Sequence, residues 1–304
     1  MPALDDARKA FQEGKLAKAE ELCNSMLAVK QDDFEALHLV AIVHSKLGRV
    51  ESALALFDRA IAVRSSHPAA LFNHGLTLHA LSRFEEALAS YDRALAIRSD
   101  HPETLTKRGH SLHRLQRLDE ALVSYDRALA LQPDHTEALN NRANILYLMQ
   151  RFDEALACYD RILVLRPSNP EALFNRANTL RALERFDEAL VSYDSALALR
   201  SDYVEALVNR ANVLHRVQRF DDALASYERA IALRPQAEVL TNRGNTTQQL
   251  KRFDEALVSY RRAQALQEEY QPAHWNESLL LLLTGDWQRG WEKYEWRWKG
   301  SSCS

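Results

Sequence analysis

Apolar and small residues recur along the chain as two helical stripes in every 34 residues. Between residues 136 and 169, Leu139, Ala143 and Leu146 fall on one helical face, and Phe152, Ala155, Tyr159 and Ile162 fall on a second. A short polar turn, Met149-Gln150-Arg151, separates them. After the second stripe comes a stop: Pro167 lies beyond the helix end, Asn169 is placed to cap the next helix, and Pro170 is placed as its first residue. His67-Pro68 and His101-Pro102 occupy the same place, with His a weaker cap. The pattern predicts a helical hairpin followed by a punctuated break. Aligned on the residue that opens the second stripe, the copies fall at Leu16, Val50, Phe84, Leu118, Phe152, Phe186, Phe220, Phe253 and Trp287. Every step is 34 residues except the 33 from Phe220 to Phe253, and the lost residue falls in the loop Arg234-Pro235-Gln236. A rigid helical repeat tolerates a deletion there. The expected repeats are 1–33, 34–67, 68–101, 102–135, 136–169, 170–203, 204–236, 237–270 and 271–304, the first and last degenerate, forming a single array over 1–304.

Small residues mark the helix crossings. The first-helix column reads Ala7, Ala41, Gly75, Gly109, Ala143, Ala177, Ala211, Gly244, Ser278; the second-helix column reads Ala19, Ala53, Ala87, Ala121, Ala155, Ala189, Ala223, Ala256, Gly290. A large side chain at such a crossing would overpack it, at about 1–3 kcal/mol. With the period, the aromatic column from Phe57 and Tyr91 to Tyr260 and Tyr294, and Pro133, Pro167 and Pro235 near the repeat ends, the chain resembles the tetratricopeptide repeat (TPR) family over essentially its whole length. The resemblance implies an all-α fold: a right-handed superhelical solenoid of stacked helix-turn-helix repeats, with first helices lining a concave groove that binds protein.

One departure from the family is informative. The place before the small first-helix residue, commonly Leu in the family, reads His74, Arg108, Arg142, Arg176, Arg210, Arg243, Glu277. The residue after the second-helix aromatic of the preceding repeat reads Asp58, Asp92, Asp126, Asp160, Asp194, Glu228, Arg261. Five of these pairs, Asp92–Arg108 through Glu228–Arg243, oppose a carboxylate to a guanidinium, and at Arg261–Glu277 both signs invert together. At the first interface both places, Asn24 and Val40, are neutral. Joint variation of this kind predicts contact between neighbouring repeats.

A second ladder is made of carboxamides: Asn73, Asn141, Asn175, Asn209, Asn242 and Asn276 in one column, Asn144, Asn178, Asn212 and Asn245 in another. Lys107 and His110 interrupt them. Both columns face away from the core stripe, so they are expected to edge the groove, exposed, and to bond the backbone of an extended polypeptide. Asn-Arg-Ala-Asn at 141–144, 175–178 and 209–212 resembles the Asn ladder in the repeat array of the O-linked N-acetylglucosamine transferase, which implies a role in holding substrate polypeptide.

The last repeat turns apolar where a capping repeat should turn polar. Leu279, Leu282 and Leu283, together with Trp291, Trp296 and Trp298, are expected to form a docking surface covered by an attached catalytic domain or by a second copy of the chain. The ending from Gly285-Asp286-Trp287 to Arg297-Trp298, after such repeats, resembles bacterial proteins in which an array precedes a glycosyltransferase domain. This implies a substrate-presenting arm as the alternative function, and end-to-end self-assembly is a third.

Composition narrows the rest. A net charge of −3 and pI near 6.4 give no electrostatic case for nucleic acid or an anionic membrane. The N-terminus has no signal-like apolar run, and Leu279–Leu283 is too short to span a bilayer. Cys23, Cys158 and Cys303 match no metal or redox spacing, which fits a reducing cytoplasm. His110 and His113 lie one turn apart but lack further ligands, so no metal is expected. There is no phosphate loop, HExxH or GxSxG, so neither cofactor nor catalysis is expected of the chain itself.

Overall fold

The computed structural model describes residues 2–298, and among them the chain is all-α. Its eighteen helices are α1 (Pro2–Gln12), α2 (Leu16–Val29), α3 (Phe34–Lys46), α4 (Val50–Val63), α5 (Pro68–Ala80), α6 (Phe84–Ile97), α7 (Pro102–Arg114), α8 (Leu118–Leu131), α9 (Thr136–Leu148), α10 (Phe152–Leu165), α11 (Pro170–Ala182), α12 (Phe186–Leu199), α13 (Val204–Arg216), α14 (Phe220–Leu233), α15 (Ala237–Gln249), α16 (Phe253–Leu266), α17 (Gln271–Leu283) and α18 (Trp287–Tyr294), closed by a 3₁₀ turn, Glu295–Trp298.

Local chemistry sets the helix ends. Asn169 Oδ1 accepts from the Ala172 amide at 3.0 Å, and His67, His101 and His135 cap in the same way through Nδ1, at 3.2–3.3 Å. A histidine does this only as the tautomer with its Nδ1 lone pair free. Where the deletion falls, Gln236 gives α15 no side-chain cap. The turn inside each hairpin needs one left-handed residue: Gly14, Gly48 and Gly285 supply it cheaply, whereas Ser82, Gln116, Gln150, Glu184, Gln218 and Lys251 adopt φ near +60° at the same place.

Contacts group the chain into two compact halves, residues 1–150 and 151–304. Within each, the two helices of a repeat pack together, and a second helix packs on the first helix of the next repeat, as α6 does on α7 and α12 on α13. The C-terminal half has a continuous core through Leu180, Tyr193, Leu207, Leu214, Tyr227 and Leu240. The small columns are needed at these crossings. A Cβ on Gly75 would lie 2.5 Å from Tyr91 Cε1, and one on Gly244 would lie 2.4 Å from Tyr260 Cε1, too close for a packed ring to yield cheaply.

Candidate functional site

The charge ladder joins neighbouring repeats in both halves. Arg108 Nε meets Asp92 at 2.6 Å, Arg142 meets Asp126 at 2.7 Å, and Arg176–Asp160 and Arg210–Asp194 each close at 2.6 Å. Arg243–Glu228 spans 3.1 Å, His74–Asp58 3.0 Å, and the inverted pair Arg261–Glu277 2.8 Å. Four of the arginines do a second job that the sequence does not announce: Arg108, Arg176, Arg210 and Arg243 also donate to Ser124, Ser192, Ser226 and Ser259 on their own second helix. Where the pair inverts, that serine column carries Lys293, whose ammonium also meets Glu277. Three columns change together there, and the carboxylate at their centre is 1% exposed.

The carboxamides are placed differently from expectation. All ten are half-buried. In the C-terminal half Asn178, Asn212 and Asn245 each accept, through Oδ1, from the buried tyrosine of their own repeat: Tyr193 and Tyr227 at 2.6 Å, Tyr260 at 2.8 Å. The same oxygen takes a second bond from the next repeat's carboxamide: Asn209 Nδ2 at 2.9 Å, Asn242 at 3.4 Å, Asn276 at 2.8 Å. A buried phenol needs an acceptor, and this one also stitches repeats together. Asn73 reaches the ring of His38 at 3.2 Å instead. Asn141 and Asn175 lie in the Asn209 column, and Asn144 lies in the Asn178 column. Between the columns an open hollow of about 200 Å³ is lined by Asn212, His215, Tyr227, Asn242 and Asn245.

Histidines extend the same face. His79 Nδ1 bonds Ser111 Oγ at 2.8 Å, and His215 bonds Thr246 Oγ1 at 2.9 Å, each reaching the next repeat. The His110 ring lies 4.6 Å from that of His79. Burial pushes His79 down to about 4, with His110 adding, and lowers His110, His113 and His215 in the same direction. These rings are neutral polar groups near neutral pH. Among the described residues no three His, Cys, Asp or Glu side chains could hold a metal ion.

Family models described as tetratricopeptide repeat match residues 41–102, 106–170, 168–236 and 237–270, with a period and pairing that the geometry reproduces. The chain belongs to the tetratricopeptide repeat family. The matched models are those of the repeat alone, and no curated protein matches. Among solved structures, YrrB, described as a TPR protein with an unusual peptide-binding site, is 25% identical with a TM-score of 0.55, covering 62% of this chain and 97% of its own. A tetratricopeptide repeat protein from Parabacteroides merdae is 20% identical, with a TM-score of 0.60 over 83% of this chain and 99% of that one. The C-terminal part of a TPR repeat-containing protein from Cytophaga hutchinsonii is 14% identical, with a TM-score of 0.68 over 79% and 98%. The last two share the fold.

The final tetratricopeptide repeat is only partly self-sealed. Trp296 stacks on His274, ring centroids 3.7 Å apart, and Leu282 packs where a Cβ on Gly290 would approach within 2.6 Å. Leu279, Leu283 and Trp291 stay exposed, as does Trp287. Trp298 has its side chain outside the described residues. Trp291 occupies the column of Leu190 and Leu224, which the following helix covers to 5% and 6% exposure, yet it is 56% exposed itself.

Proposed function

We propose that the chain is a protein-interaction scaffold whose Asn-bearing face holds an extended polypeptide by its main chain. Tetratricopeptide repeats are in general protein- or peptide-binding modules, and YrrB is described as having a peptide-binding site. One observation carries the finer reading. In each bonded pair, Asn178–Asn209, Asn212–Asn242 and Asn245–Asn276, the shared bond runs from the Nδ2 of the second to the Oδ1 of the first, so the first keeps its Nδ2 donors and the second its Oδ1 acceptor. That is the complement of a peptide group, offered once per repeat. The hollow between two of these pairs gives the backbone room, and neutral histidines beside it favour no particular charge. The reading needs no catalytic group on this chain. Among the described residues no helix is long and apolar enough to cross a membrane.

The test uses Asn175→Ala, Asn209→Ala and Asn242→Ala together, because these lie in the column that leaves the tyrosine acceptors intact. A peptide selected on the chain from a random library should bind the triple variant more weakly, by about 0.5–1.5 kcal/mol per lost bond. Thermal unfolding should shift only modestly, because Asn209 and Asn242 each give up one bond to the preceding repeat while the tyrosine acceptors stay in place. Unchanged affinity with a loosened fold would make the ladder purely structural.

A second reading follows from the exposed Trp291: the terminal face docks a helix that continues the stack. Glu295 stands in the ladder column there, so the fitting helix carries a basic residue opposite it. The chain's own first helix presents Asp6 at that place, so end-to-end stacking of two copies in register opposes like charges. Dilute chains should sediment as monomers, with Trp291 open to acrylamide; a concentration-dependent dimer that shields it would reverse this reading.

A further inference from the structure

Two repeats open on the same frame and differ at one telling position. Pro68, Phe72, Ala94, Arg98 and His101 correspond to Pro170, Phe174, Ala196, Arg200 and Tyr203, but Ala69 stands in the place of Glu171. Glu171 binds Arg200 and folds its guanidinium over the Tyr203 ring, 4.7 Å from the centroid. Glu35 holds Arg64 at 3.3 Å over the Phe34 ring, and Glu205 holds Arg234 at 2.5 Å. In each of these repeats a carboxylate from the first helix closes the arginine down across the gap between helices.

The repeat at 68–101 has no carboxylate at that place. Arg98 leans outward on Asp100 in the loop, Nε to Oδ1 3.5 Å. The gap stays open as a hollow of about 160 Å³ walled by Pro68, Ala69, Phe72, Ala94, Arg98 and His101. At about 30 Å³ per water this is room for about five waters, or for one side chain of modest length. Its floor is apolar, with the His101 ring set edge-on to Phe72 at 5.6 Å, and its one cation stands at the mouth.

We propose that this hollow is a binding site for a glutamate side chain of a partner polypeptide. Its methylenes lie on Phe72 and Ala94, and its carboxylate takes the position at Arg98 that Glu171 holds at Arg200. The sister repeats define the missing group: a carboxylate on a short aliphatic stem, entering beside the first turn of the first helix. A guanidinium offers such a group a two-pronged bond, and the apolar wall shields it from water. The site uses none of the carboxamides and does not depend on their binding a main chain.

The experiment is a titration of the full ¹⁵N-labelled chain, followed by NMR, with N-acetylglutamyl amide as the probe and N-acetylglutaminyl amide as its uncharged twin. The glutamyl probe should give saturable shifts at Ala69, the Arg98 Nε–H and Thr104, with the glutaminyl probe about tenfold weaker, the value of one charged hydrogen bond. Ala69→Glu should abolish the response, because the chain's own carboxylate then closes on Arg98. The variant should fold, since sister repeats carry glutamate there. Arg98→Gln should weaken the response to the level of the glutaminyl probe. Equal shifts from the two probes, an Ala69→Glu chain that titrates like the parent, or no saturation by about 20 mM would each overturn the proposal.

Discussion

The Tyr193 hydroxyl donates to Asn178 Oδ1 across 2.6 Å, whereas the equally buried hydroxyl of Tyr91 has no partner among the described residues. The difference lies fifteen residues upstream of each ring: Asn178 in one repeat, Leu76 in the other. Tyr125, opposite His110, is orphaned in the same way, and in the repeat where Ile42 takes this place the ring is Phe57, with no hydroxyl to satisfy. Tyr193→Phe should therefore cost about 1 kcal/mol, and Tyr91→Phe should be neutral or stabilising. Urea unfolding of the two variants checks this, and equal losses would contradict it.

The ladder pairs should be worth little singly and more as a set. Asp194 is half-exposed and Arg210 about one-fifth exposed, so Arg210→Glu should destabilise by about 1 kcal/mol, mostly through repulsion. Adding Asp194→Arg should recover part of this, and adding Ser226→Lys more, because that trio reproduces the natural arrangement of Glu277, Arg261 and Lys293. A coupling energy of zero across the cycle would remove the ladder as a stacking device.

Glu277 is the exception to that modest scale. Burial alone would raise its pKa, but Lys293, Arg261 and Gln264 outweigh burial and hold it below the usual carboxylate value of 4.5. Lys293→Met leaves the buried charge underbonded and should cost about 1–3 kcal/mol, with the Glu277 carboxyl titrating at higher pH. A side-chain carboxyl NMR titration of the variant reads the second effect directly. An unmoved titration would mean that Arg261 and Gln264 suffice.

Acid should loosen the N-terminal half first. Burial pushes His38 down to about 4, with His67 adding and Arg8 opposing protonation while Glu35 favours it; His79 is also down to about 4, with Arg114 and Lys107 adding. A depressed histidine contributes its full stability above the ordinary value of 6.5; that contribution falls as pH drops from 6.5 toward 4 and levels off below. Amide protection, corrected for the intrinsic exchange rate at each pH, should fall in residues 1–150 between pH 6.5 and 5 before it falls in 151–304. His38→Phe, which copies Phe72 and Phe174, should flatten the slope; an unchanged slope would exclude His38 as its source.

The sequence made the repeat legible because period and crossing size agree with one another at nine places. It made the ladder legible through one event, the double inversion at Arg261 and Glu277. Lys293 escaped notice because its column reads Ser or Cys from Ser90 to Ser259 and Leu before that, and a hydroxyl serving an arginine looks like any other polar side chain. The second use of the asparagines also escaped. Its signal was a phenol column that gains a carboxamide opposite it, blurred by Leu76 and His110, which leave their tyrosines unsatisfied. Left-handed turns were marked by Gly14, Gly48 and Gly285, but the residues between them, from Ser82 to Lys251, tolerate the strain and hide the pattern. The open hollow at Ala69 needed side-chain geometry, because an alanine among glutamates at one repeat position reads as drift.

The central claim is that the carboxamide face reads the main chain of a bound polypeptide. N-methylation of single peptide bonds along a library-selected peptide tests it most directly, since each methyl deletes one backbone donor and leaves every side chain in place. Affinity should fall by about tenfold, about 1.4 kcal/mol, at bonds spaced one per repeat, while alanine replacement of most side chains matters less. Full affinity at every N-methylated bond, with binding lost only on side-chain truncation, would contradict the account.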